Sequence, residues 1–157
     1  MYGWCKNWCS LRFITFNFIW LFFIVNFFKK MIDDSIIKLA SNTSNSGLQN
    51  KYSHKISLKN NLCGDKIAVE IIANNKSIIS MKYETESCVY CEASASLLSR
   101  KVKKLKIKDI KNEFASLKEI SKQKKIKIPK KYSDFKKLLN SDNFNRFKCI
   151  FLPFDAV

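Results

Sequence analysis

Cys63 and Asp65 stand two positions apart with Gly64 between them, a thiol and a carboxylate that can turn toward one small centre. Gly64 has no Cβ, so the chain can bend there without steric cost. Lys66-Ile67-Ala68-Val69-Glu70-Ile71-Ile72 follows at once and reads as a strand, which puts the pair at the mouth of a rigid element. Two more cysteines lie in non-random settings downstream: Cys88 at the opening of a helical run, and Cys149 four residues before Pro153. Six cysteines invite a disulfide framework. Cys5 and Cys9, however, fall outside the candidate domain, and nothing resembles a cleavable secretory signal. Free thiols in a reducing compartment, the cytoplasm, are the expectation, open to metal or sulfur chemistry.

The elements that must hold these groups are legible in outline. Ile32–Ala40 reads as a short helix with acids in its first turn, and Ser41–Asn50 as a polar loop. Tyr52–Lys59 alternates partially, as an edge strand would, and carries the only histidine, His54, expected on the surface. After the strand at Lys66–Ile72, Asn74-Asn75-Lys76 signals a turn and Ser77–Glu84 returns as its hairpin partner. Ser87 is placed to cap a helix from Cys88 to Arg100, with Cys88, Cys91, Ala95, Leu98 and Val102 on one face. The Ala/Ser run keeps that face thin enough to press against a sheet. Asp109–Glu119 reads as a second helix around Ile110, Phe114, Leu117 and Ile120. Beyond Pro129, Tyr132–Leu139 suggests a helical turn or two capped by Ser133. The fold class is α+β: a small antiparallel sheet of two or three strands, packed on one face by helices.

At 157 residues the chain has room for one domain with a real core. Its net charge is +16, of which four charges lie in the first thirty residues, leaving +12 on residues 31–157. Such a balance suits nucleic acid or an anionic membrane. The aromatics do not interleave with the lysines as a stacking platform requires, so we read the excess as lysine-rich composition and expect no nucleic-acid partner. Residues 13–28 are uncharged and nearly all apolar, sixteen positions against the ~20 that cross a bilayer. They read as a marginal membrane anchor with Lys29 and Lys30 inside, as a partner-binding arm, or as sequence upstream of a true start at Met31.

Three blocks stand out: Leu62-Cys63-Gly64-Asp65, then Ser87-Cys88-Val89-Tyr90-Cys91-Glu92-Ala93-Ser94-Ala95-Ser96, then Arg146-Phe147-Lys148-Cys149-Ile150-Phe151-Leu152-Pro153. In this order and with these gaps they resemble the U-type iron–sulfur cluster scaffold family, comprising the NifU N-terminal domain, IscU and SufU. The resemblance spans residues 31–157 and sets residues 1–30 apart as an extension. That family tends to open on a short helix like Met31–Ala40, which favours the start at Met31. Lys148 stands where IscU-type members carry histidine, so the SufU-like branch is the nearer likeness.

The resemblance implies a ligand set of Cys63, Asp65, Cys88 and Cys149 around one metal ion or one nascent, transient Fe–S cluster. It also implies a cysteine desulfurase as sulfur donor, with Cys63 as candidate acceptor, and apo iron–sulfur or carrier proteins as recipients. Thiolates suit both iron–sulfur clusters and zinc, and one carboxylate makes a site more labile than four thiolates. Two functions follow. One is a scaffold that builds and releases a cluster and is not strictly an enzyme; the other is a zinc-dependent sulfurtransferase in which a thiolate leaves the metal to accept sulfur. A remote third is a basic membrane-tethered or nucleic-acid-binding protein. The residues alone also allow Cys63, Cys88 and Cys149 to be small buried hydrophobes. Cys91 matches no fixed cysteine of the family and is expected in the core, with a Cys88-x-x-Cys91 pair that binds metal or relays sulfur as the rival reading. Lys66 and Lys148, if they face the site, would favour thiolates.

Overall fold

Alternation along Lys66-Ile67-Ala68-Val69-Glu70-Ile71 gives one strand two different faces, and the sheet is built on that difference. The computed structural model describes residues 33–123 and 127–157, and residues 34–157 form one unit. Three strands, β1 (His54–Lys59), β2 (Lys66–Ala73) and β3 (Ile78–Glu86), pair antiparallel in the order β1-β2-β3. Register sets Leu58-Ile67-Thr85, Ile56-Val69-Tyr83 and His54-Ile71-Met81 in rows on one face, and Lys55-Glu70-Lys82 on the other. The turn expected at Asn74–Lys76 is an Asx turn, in which Asn74 Oδ1 accepts from the Lys76 and Ser77 amides at 2.9 and 2.8 Å.

Helices cover the apolar face. The short α1 (Asp34–Ala40) and the C-terminal α4 (Phe147–Asp155) flank the central α2 (Val89–Lys101), while α3 (Ile107–Ser121) begins beside the hairpin, where the Ile107 amide donates to Lys76 O. The Ala/Ser run of α2 is buried, with Ala93, Ser94, Ala95, Ser96 and Ser99 all inside, but the hydroxyls of Ser94 and Ser96 meet α4 and the loop after α1 rather than the sheet. Each buried hydroxyl finds a backbone carbonyl, Ser94 on Ile150 at 2.6 Å, Ser96 on Asn42 at 3.0 Å and Ser99 on Ser96 at 2.9 Å. Small side chains thus let the neighbours close in, and their oxygens then pin them. α3 buries Ile110, Phe114, Leu117 and Ser121, so Ser121 rather than Ile120 ends the stripe.

One local expectation is corrected, and one helix is new. Tyr132–Leu139 does run in helical turns, a 3₁₀ turn over Lys130–Phe135 and a further turn in which the Leu138 and Leu139 amides donate to Phe135 O, but Pro129 rather than Ser133 stands at the cap position. The last helix, α4, had no clear sequence signal. It is apolar almost all round and forms from packing, with Phe154 edge-on to Phe114 at 4.8 Å and to Phe135 at 5.1 Å. Residues 1–30, with the membrane-anchor and start-site expectations, lie outside the described residues. Among those described, no helix is long and apolar enough to cross a membrane.

The polar face hides one acid. Glu70 is buried; Lys55 donates to it at 2.9 Å, and the Gln49 and Asn50 amides donate at 2.8 and 3.0 Å. Burial pushes the carboxyl up, but the Lys55 contact and the two amides outweigh it and hold it below its ordinary 4.5. A carboxyl lowered by folding stabilises the protein above its unfolded pKa and loses that contribution as pH falls through the folded value. Glu70→Gln is therefore expected to lower the melting temperature at neutral pH, with the gap to wild type closing as pH drops below 4.5. Thermal melts between pH 7 and pH 3 would measure it; a gap that stays constant with pH counts against the ion pair.

Candidate metal and sulfur site

The loop from β1 to β2 carries the first pair of donors. Gly64 takes φ +77°, the left-handed bend that its missing Cβ permits, and its amide donates to Asn60 O at 2.8 Å. The Asn60 amide in turn donates to Asp65 O at 2.8 Å, and Asn60 Oδ1 accepts from the Leu62 amide at 3.1 Å. Asn60 thus fixes the turn that aims Cys63 and Asp65, a role signalled in the sequence only by the Asn60-Asn61 doublet, a turn-forming pair.

Cys88 enters from the opposite side. It occupies the cap position of α2 in extended conformation, and its amide donates to Asp65 Oδ1 at 3.0 Å. The expectation that Ser87 caps this helix is corrected: the helix opens one residue later, and no side chain caps it. Ser87 Oγ instead donates to Cys88 O at 3.4 Å. The acid that answers this helix end comes from 23 residues upstream.

Cys149 arrives on α4, whose position against α2 is set by the Ser94 hydroxyl on the neighbouring carbonyl of Ile150. Its Sγ lies 3.3 Å from Cys63 Sγ, and donor atoms of Cys63, Asp65 and Cys149 all fall within 4.8 Å of one another. Cys88 Sγ stands outside that tight group, but its amide bonds Asp65 and its thiol also acts on that carboxylate. Of the four residues named from the sequence, three converge and the fourth borders them. Cys63 is exposed, Cys88 half-buried and Cys149 buried.

Asp65 is 5% exposed, and its Oδ2 is buried without a hydrogen bond. An orphaned carboxylate oxygen is costly away from water unless something cationic meets it. Burial pushes this carboxyl up, but the nearby Cys63 and Cys149 thiols and the Cys88 amide outweigh it, so it stays below the ordinary carboxylate range. Burial, and then contact with Cys63 and Asp65, drives the Cys149 thiol well above the usual thiol range. The donor set is therefore two sulfurs beside one anionic oxygen with a free lone pair, a set suited to a thiophilic cation that also tolerates oxygen. Such a cation would displace the thiol protons on binding.

Lys66 does not face the thiols, since its ammonium pairs with Glu86 at 2.6 Å; Lys148 is exposed. Cys91 lies in the core with no exposed surface, and burial pushes its thiol up to about 12. Cys91→Ala is expected to cost about 1 kcal/mol of stability while leaving metal uptake unchanged. Melting temperature and bound zinc, measured on the same sample, check both halves. A cavity of about 750 Å³ between β1–β2 and α3 contains none of the four site residues, so donor chemistry rather than concavity marks the site.

The family model described as NifU-like N terminal domain matches residues 31–142. No curated protein matches the chain in sequence. Among solved structures, the chain is similar to a nitrogen-fixing NifU-like protein (N-terminal) from Brucella abortus, at 19% identity and TM-score 0.70, over 79% of this chain and 87% of that one. It is also similar to a protein from Fervidobacterium islandicum AW-1 described as a candidate iron–sulfur cluster assembly scaffold for the SUF system. There the identity is 16% and the TM-score 0.71, over 80% of this chain and 92% of that one. At such identities the structural likeness speaks for the fold.

Proposed function

The chain belongs to the NifU-like N-terminal domain family, and from that premise we propose that it is a scaffold on which an iron–sulfur cluster is assembled and released. Cys63, Asp65 and Cys149 hold the incoming iron, and Cys88, already bonded to Asp65 through its amide, supplies the remaining thiolate. The single observation that carries this reading is the convergence of two sulfurs and an unpartnered carboxylate oxygen from residues as distant as 63 and 149. One oxygen donor among sulfurs lowers the hold on the cargo, which a scaffold must let go.

Sulfur comes from the persulfide of a cysteine desulfurase. Cys63 is the acceptor because it is the exposed thiol of the group. Its thiolate attacks the outer sulfur of the donor persulfide; the new S–S bond forms on Cys63, and the donor cysteine leaves as thiolate. Recipients are apo iron–sulfur or carrier proteins, and the free thiols fit a reducing cytoplasm. Oxygen-free incubation of the full chain with a cysteine desulfurase, cysteine and ferrous iron tests the reading. Visible absorption of a protein-bound cluster is expected, and a colourless protein with no bound iron would overturn it.

The exposure of Cys63 beside a buried Cys149 favours one second reading, a zinc-dependent sulfur acceptor. Zinc held by Cys63, Asp65, Cys88 and Cys149 would keep the thiols ionised at neutral pH. Tightly bound zinc and no cluster after anaerobic purification select this reading over the first.

A further inference from the structure

The 3.3 Å between Cys63 Sγ and Cys149 Sγ does more than gather ligands. It holds a second thiol in contact with the very sulfur that accepts persulfide sulfur. We propose a further activity of this pair: in the metal-free site, Cys149 discharges the Cys63 persulfide and releases sulfide with no external reductant. The inference rests on the reading of Cys63 as sulfur acceptor.

The step balances within the two side chains and the delivered sulfur. The Cys149 thiolate attacks Cys63 Sγ, and the Cys63–Cys149 S–S bond forms. The bond from Cys63 Sγ to the outer sulfur breaks, and that sulfur leaves with the electron pair as hydrosulfide. The proton given up by Cys149 goes to solvent or to the leaving sulfide. The outer sulfur gains the electrons that Cys149 loses, and a dithiol reductant afterwards resets the pair.

Three observations support the direction of attack. Cys149 is 4% exposed whereas Cys63 faces solvent, so the nucleophile sits on the inner side and the outer sulfur has open space to leave. The contact also closes across 86 residues and is held by fixed elements: α4 is pinned at Ile150 by Ser94, and the Gly64 turn by Asn60. Finally, Cys91 is fully buried, which removes it as an exposed competitor for the persulfide. Burial disfavours the Cys149 thiolate, so proximity must carry the step; pre-positioned groups reach effective concentrations of about 10⁵ M and above.

The test uses the full chain, stripped of metal with a chelator, reduced and desalted without oxygen. One equivalent of glutathione persulfide is added, and sulfide, intact mass and peptide map are followed. Wild type is expected to release one sulfide per chain and to yield a peptide joining Cys63 to Cys149. Cys149→Ser is expected to hold one added sulfur atom, with sulfide release at least roughly tenfold lower. A wild-type chain that keeps the added sulfur without releasing sulfide overturns the inference alone and leaves the acceptor reading intact. So does a map joining Cys63 to Cys88. If neither protein takes up sulfur at Cys63, the acceptor reading falls and the inference falls with it.

Discussion

Zinc affinity drops by about 100-fold or more when Cys63, Cys88 or Cys149 is replaced singly by alanine. Four-ligand zinc sites bind with roughly 10–16 kcal/mol, about 3 kcal/mol per ligand, and each 1.4 kcal/mol is a factor of ten. Competition with a coloured chelator measures the change, and cluster assembly with desulfurase and ferrous iron should fail in the same three variants. Cys149 is the sternest of them, because its sulfur is buried and already in contact with Cys63. Cys88→Ala separates two readings of the helix end. Loss of affinity equal to that of Cys63→Ala makes its thiol a ligand. Unchanged affinity would confine Cys88 to its amide bond with Asp65, which alanine retains.

Asp65→Ala is expected to act in the opposite sense, on release. The carboxylate is the weak donor of the set, and removing it leaves the thiols in place. Cluster transfer to an apo acceptor should slow by about tenfold or more while the assembled cluster persists, read as the decay of scaffold absorption against the rise of acceptor activity. The same variant also deletes the acceptor of the Cys88 amide, so a melting temperature must accompany the kinetics. A variant that binds neither zinc nor iron, yet melts as wild type does, would show that Asp65 is indispensable for holding the cargo.

The sequence made the glycine bend, the hairpin and the thin central helix readable, because each rests on local chemistry. Gly64 needs φ > 0, Asn74 closes its own turn, and the Ala/Ser run reports a close approach wherever it is placed. What escaped was non-local. No pattern near Cys88 announces that its amide is answered by Asp65 from across the fold, so the nearest hydroxyl, Ser87, took the part of the cap. α4 was missed because it is apolar on nearly every side, and such a run shows no helical stripe. Its proline compounds this: Pro153 stands inside the helix, where it cannot donate to the carbonyl of Cys149. The candidate donors were singled out through three blocks and their order, whereas the convergence of Cys63, Asp65 and Cys149 was not readable from spacing at all.

The pinning of a loop, a helix end and a distant helix around one small cluster also bears on how the chain holds together. An ion seated there would tie residue 63 to residue 149 across 86 positions and, bound only by the folded chain, would stabilise it by mass action. Loading the site would therefore tighten the molecule as a whole, and unloading would relax it. A recipient that prefers the relaxed form would then hasten delivery simply by binding it, without touching the cargo.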